Sequence, residues 1–278
     1  VIVLACGLAF LVGVLLPLLG SGNGSTMGDP EALPSIRTPE SNSQSLSTLQ
    51  TDLDVFYLGR DDGLIHRELR DLPTSGDRLG TAVGAVLNVA PLDPNDTSGW
   101  AAGQVNRATV KGNRITLDLS ASAFSQFKNG EQVQRAIQQL VVTATAAVGD
   151  RTGDKSVRIL VDGSPNLPII GKPATDFVDE GFARCARVWV DSPQAGADMS
   201  AGTITISGVA QPTVSVMSYE VRPPQSSRII TSGQINLSAN DGDKWRPWHA
   251  TFTMPKGEYD LIIREGTHIA DEKVITAK

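Results

Sequence analysis

Cysteine is almost missing: the 278 residues hold two, Cys6 and Cys185, in unlike surroundings. They are not expected to pair, so no disulfide framework holds the fold. Histidine is nearly as scarce. His66, His249 and His268 fall on two strands and a late loop, and no G-x-S-x-G elbow offers a nucleophile, so a catalytic triad has no basis. Positive charge is in deficit, with 24 Lys and Arg against 30 Asp and Glu. The net −6 leaves no basic stripe for a phosphate backbone, which excludes nucleic acid as a partner.

The remaining chemical candidates have plainer readings beside them. Arg184 and Arg187 flank Cys185 and would lower a thiol pKa, yet no partner motif accompanies it, so it reads as a buried or idle cysteine. Asn240-Asp241-Gly242-Asp243 resembles a fragment of a calcium loop without the full ligand series, and reads as a polar hairpin turn. Asp61, Asp62 and Asp162 also sit in turn contexts rather than as an acid–base pair. We therefore expect no catalytic residue, no cofactor and no metal.

Residues 1–19 carry no charged side chain. A helix of that length spans about 28 Å at ~1.5 Å per residue, close to a bilayer's hydrocarbon core. Three readings stand: a retained anchor, a cleaved signal peptide, and a lipoprotein signal using Cys6. The anchor is favoured because a signal peptide's apolar stretch is usually shorter, and the apolar run follows Cys6 instead of preceding it. Residues 20–50 are rich in Gly, Ser, Pro and Thr and read as a flexible tether reaching roughly 30 Å.

The chain is organised around Gly130 to Gly163. Val133, Ala136, Ile137, Leu140, Val141, Ala144 and Val148 recur on one helical face, while Gln132, Gln134, Arg135, Gln138 and Gln139 fill the other. Val157, Ile159 and Val161 then alternate as one face of a strand closed by Asp162-Gly163. Upstream, Leu53 to Leu58 and Leu64 to Leu69 form a hairpin about Arg60-Asp61-Asp62-Gly63. Asp77 starts a helix carrying Leu79, Ala82, Val83, Val86 and Leu87 on one side. Ala90 to Gly103 reads as a long loop. Val105 to Leu119 forms a second hairpin with Ile115, Leu117 and Leu119 on one face. The expectation is an α+β domain over residues 51–168.

From Ala186 the pattern changes to seven short alternating runs divided by Pro193, Pro212, Pro223-Pro224, Asn240-Asp241-Gly242 and Pro255-Lys256-Gly257. That spacing predicts an all-β, immunoglobulin-like sandwich over residues 184–278, joined by a linker at 169–183. The composition shift also predicts that each domain folds alone.

The ordered set strand, helix, hairpin, helix and V-R-I-L-V-D-G-S-P, over roughly Leu53 to Pro168, resembles the GerMN domain of sporulation and spore-germination proteins. The steps V-x-V-x-S-P-Q-A-G from Val188 and F-x-M-P-x-G-x-Y-x-L from Phe252 are similar to the immunoglobulin-like domain of bacterial spore-germination and envelope proteins. The resemblance implies a Gram-positive, extracytoplasmic protein held at the cell membrane by a single N-terminal transmembrane helix. It implies a non-catalytic role in cell-envelope assembly, with other envelope proteins or a second copy as partners. For that role Arg135 and Gln138, on the Gln-rich helix face, are the candidate contacts. The alternative is a cell-wall glycan-binding module using the Trp245 and Trp248 faces, with Trp189 assigned to the core.

Overall fold

The computed structural model describes residues 48–278 except 75, 151–152, 166–175 and 243. The expected anchor at 1–19 and the tether as far as residue 47 lie outside the described residues, and residues 48–50, expected as tether, already belong to a strand. No described helix is long and apolar enough to cross a membrane. Ser45–Lys278 forms one compact unit.

The α+β half opens with a hairpin of β1 (Thr48–Gly59) and β2 (Ile65–Thr74). A bulge between Gln50 and Leu53 interrupts their register, and Asp52 there takes φ 50°. Helix α1 (Arg78–Asn88) starts where the sequence indicates, with Asp77 Oδ1 accepting the Gly80 N–H at 2.6 Å. The long loop after it contains β3 (Asp96–Thr97), which pairs with Leu58 and Gly59 at the end of β1. β4 (Val105–Lys111) and β5 (Arg114–Leu119) turn through Gly112 at φ +58°, and β5 runs parallel to β6 (Ser156–Val161). A parallel neighbour needs a crossover, which is α2 (Gly130–Ala147). Leu53, Val55 and Tyr57 of β1, Ile115, Leu117 and Leu119 of β5, and the apolar faces of both helices share one core.

Helix α2 corrects one expectation. Its supposed outer face is covered only in its later part: Gln132 and Gln134 are exposed and Arg135 partly so, but Gln138 and Gln139 are buried with Val142, Thr143 and Thr145. The two buried amides satisfy backbone groups of chain passing over the helix. Gln139 donates to Phe56 O at 2.7 Å and accepts from Gly99 N at 2.9 Å; Gln138 donates to Val178 O and accepts from Glu180 N, both at 3.1 Å. A glutamine read as solvated by its polarity is here the means of burying irregular backbone.

The second half contains β7 (Val188–Ser192), β8 (Asp198–Met199), β9 (Gly202–Ala210), β10 (Met217–Arg222), β11 (Thr231–Leu237), β12 (Arg246–Met254), β13 (Gly257–Glu265) and β14 (His268–Ala277). Their order is β7-β9-β12-β11-β10-β13-β14-β8. The short β8, which the sequence did not announce, runs parallel to the end of β14. β11 pairs with β10 from Thr231 to Ile235 and passes to β12 at Asn236 and Leu237. That switch makes two wings, whose inner residues, among them Ile206, Trp248, Met217, Leu261 and Ile275, form one core. Gly208 is required there. A Cβ on it would meet Trp189 O at 2.0 Å and the Trp248 ring at 2.6 Å.

Candidate functional site: a buried junction between two domains

The two halves do not meet as separate bodies. A third apolar cluster joins Phe56, Leu58, Ile65 and Val142 of the first to Cys185, Ala186 and Trp189 of the second. Trp189 is its centre. Its ring stacks on Trp245 at 3.8 Å, receives the edge of Phe56 at 5.5 Å, and lies 5.2 Å from the Arg67 guanidinium carbon. The indole N–H donates to Ile65 O at 3.0 Å, and Ala186 N–H donates to the same carbonyl at 2.9 Å.

Beside the aromatic stack lies an ionic network. Arg67 of β2 donates its Nε–H to Asp191 Oδ1 of β7 at 3.1 Å. Lys273 Nζ on β14 donates to Asp93 Oδ2 at 2.8 Å and lies 3.1 Å from Asp271 Oδ1, with all three side chains at most 6% exposed. The loop bearing Asp93 is held in turn: Glu68, buried, accepts from Leu92 N at 2.7 Å and Asp93 N at 3.1 Å, and pairs with Arg70 at 2.6 Å. Asp271 Oδ2 accepts from Val190 N at 3.2 Å. Asp96 is buried, and its Oδ2 has no hydrogen-bond partner among the described residues.

Burial governs the titration of these groups. Desolvation pushes the Asp96 carboxyl up to about 6, against the opposing pull of His66 and Lys273. Burial pulls His66 down, but Asp62, Asp96 and Asp271 outweigh it and leave its pKa raised. The hydrogen bond from His66, 3.3 Å away, holds Asp62 below the ordinary carboxylate range. Lys273 is likewise pulled down by desolvation and carried well above the ordinary lysine value by Asp271 and Asp93. The arrangement is suited to holding charge and clamping two domains. It presents no exposed nucleophile.

Cys185 departs from the expected influence of its arginine neighbours. Arg184 pairs with Glu180 and Arg187 with Glu265, while burial, helped by Asp179, pushes the thiol up to about 12. In the loop between β11 and β12, Asp241 pairs with Lys244 at 2.8 Å. Among the described residues no cluster of His, Cys, Asp or Glu could hold a metal ion.

The sequence-selected contact residues are not brought together. Arg135 is partly exposed on α2 and paired with Glu131 at 2.5 Å. Gln138 is 4% exposed under residues 178–180. Trp245 spends one ring face on Trp189 and meets Phe182 at 5.2 Å. Trp248, 2% exposed, is a core residue of the second domain. Gln138 and Trp248 are thus withdrawn from any surface role, because each is enclosed by chain distant in sequence. The junction residues Asp93, Asp96, Asp191, Arg67 and Lys273 were missed. One signal was readable: Asp271 and Lys273 share strand parity with Ile275 and Ala277, which places charges on the buried face of β14.

Residues 54–167 match the Germane family, described as sporulation and spore germination, which supports the GerMN domain. No curated protein matches the chain. Among solved structures, the chain is similar to an engineered protein determined at 1.98 Å by the Northeast Structural Genomics Consortium. Identity is 17% and the TM-score 0.26, over 51% of this chain and 36% of that one.

Proposed function

We propose that the protein is a non-catalytic scaffold of the cell envelope, tethered to the membrane by residues 1–19, with its folded part extracytoplasmic. In this reading a GerMN domain carries an immunoglobulin-like sandwich, and other envelope proteins are the partners. The observation that carries the proposal is the junction itself. The buried ionic contact between Lys273 and Asp93, with the contacts of Trp189 to Phe56 and to Ile65 O, holds the two domains in one fixed geometry. A scaffold needs a set distance and angle between its binding surfaces, whereas flexibly joined modules with small polar contacts do not provide one. The handover of β11 between wings and the parallel β8–β14 pair support the immunoglobulin-like reading of the second half.

The glycan-platform alternative loses its main support. Trp248 is enclosed and one face of Trp245 is occupied, so no flat pair of indoles faces solvent. The test is crosslinking in intact cells, followed by purification of the full chain from membranes. Recovery of defined envelope proteins supports the scaffold. Recovery of the chain alone, together with pull-down on purified cell wall, contradicts it.

A further inference from the structure

The β4-β5-β6 sheet ends at β4, whose ladder partner is β5 alone, while at the opposite side β6 goes on to pair with Phe177. Among the described residues no backbone pairs with the free side of β4. An open edge accepts a further strand unless charge or covering chain blunts it.

The side chains of β4 state what such a strand must look like. Cross-strand neighbours share a face, so Ala108 and Val110, opposite Leu117 and Ile115, lie on the helix-covered face. Val110 is nevertheless 46% exposed. Arg107 and Lys111 lie on the outer face with Thr109 between them. Both are exposed, and neither makes an ion pair among the described residues, although Asp118 is the cross-strand neighbour of Arg107; Arg114 on β5 is held by Asp176. The two free cations are roughly 13 Å apart at ~3.3 Å per residue.

We propose that β4 is a docking edge for an extended segment of a partner protein with the pattern acidic–apolar–any–apolar–acidic. Carboxylates four residues apart sit opposite Arg107 and Lys111, and the apolar pair covers Ala108 and Val110. The pattern reads the same in both directions, so either strand orientation satisfies it. A second copy of this chain does not fit. Antiparallel pairing of β4 with itself about Thr109 sets Arg107 across from Lys111, and parallel pairing stacks each cation near its equivalent. An anionic polymer would engage the cations but leave the backbone edge and Val110 unused.

The inference names a partner class for the scaffold and rests on that reading. Its test is separate: the full chain is titrated with a short synthetic peptide centred on Glu-Val-Thr-Val-Glu and with its Lys-Val-Thr-Val-Lys counterpart. Fluorescence anisotropy reads binding, and amide exchange reads pairing along β4. The acidic peptide should bind at least ~10-fold more tightly, with the preference shrinking as salt rises. It should also slow exchange at residues 107–111. The double variant Arg107→Glu, Lys111→Glu should invert the preference, which also shows that it is folded. Equal affinity for the two peptides on the unaltered chain overturns the proposal. So does binding that leaves β4 exchange unchanged, binding of polyphosphate in place of the acidic peptide, or self-association through β4 in sedimentation. Envelope crosslinks that persist without peptide binding would remove this edge and leave the scaffold standing.

Discussion

Lys273 Nζ and Asp93 Oδ2 lie 2.8 Å apart, 180 positions from each other in the sequence and with almost no solvent contact. One belongs to the last strand of the second domain and the other to a loop of the first. Asp93 meets Lys273 only across the junction, while Lys273 keeps a second partner, Asp271, on its own strand.

Removing one member of this pair leaves a charge buried without compensation, which costs about 3–5 kcal/mol. Lys273→Met should therefore lower the stability of the full chain by that order, read from urea unfolding. Lys273→Met with Asp93→Leu should recover part of the loss, because Asp271, whose other oxygen accepts from Val190 N, is then the one member of the triad left charged. A loss below about 1 kcal/mol in the single variant would show that the pair is exposed in solution.

The aromatic stack makes an independent contribution. Trp189→Ala removes a buried indole between Trp245 and Phe56 and the hydrogen bond to Ile65 O. It should cost about 3–5 kcal/mol. Trp245→Ala, half-exposed, should cost less, and cell-wall binding should not change with it. Loss of wall binding in the Trp245 variant would restore the glycan reading.

The junction should strengthen on mild acidification. Asp96 is raised from 3.8 to about 6 by burial, so its contribution is full below its unfolded value and is lost as pH rises through about 6. His66 is raised above 6.5, so its contribution is full below 6.5 and is lost as pH rises through the higher folded value. Burial sets the direction for Asp96, with Asp93 and Asp271 adding to it and His66 and Lys273 opposing, while Asp62, Asp96 and Asp271 outweigh burial at His66. Asp62 has the opposite sign, but its depressed pKa is felt only as pH falls below 3.8. The melting temperature should thus rise between about pH 8 and about pH 5.5, and Asp96→Asn should flatten part of that rise. A melting temperature that falls over this interval would contradict the assignment.

Gln139 should prove structural. Gln139→Ala leaves Phe56 O and Gly99 N without their buried partner, at about 1–3 kcal/mol for each group. Gln134→Ala, on the exposed part of the same helix, should stay within about 0.5 kcal/mol. Equal effects, measured by denaturant midpoint, would return α2 to a solvated helix face.

Local periodicity carried the elements well. The helix start at Asp77, the inward triplet Ile115, Leu117 and Leu119, and the alternation through β12 and β13 were all readable. Contacts between distant segments were not. Gln138 and Gln139 look solvated until residues 56, 99 and 178–180 are known to cross them. Trp248 looks available until Gly208 opens room for its ring in the core of the second domain. The break in composition near Ala183 suggested two separate folds, because a sequence boundary does not reveal an interface built from Phe56, Ile65, Asp93, Trp189 and Lys273. The charges at 271 and 273 on an otherwise apolar strand face were the one local sign of that interface.

The central claim is that the two domains act as one body. Calorimetric unfolding of the full chain tests it most directly, by comparing calorimetric with van't Hoff enthalpy. The account predicts a single transition over the folded region with the two enthalpies equal, and a shift of that whole transition in Lys273→Met. Two resolved transitions, only one of them displaced by Lys273→Met, would contradict it.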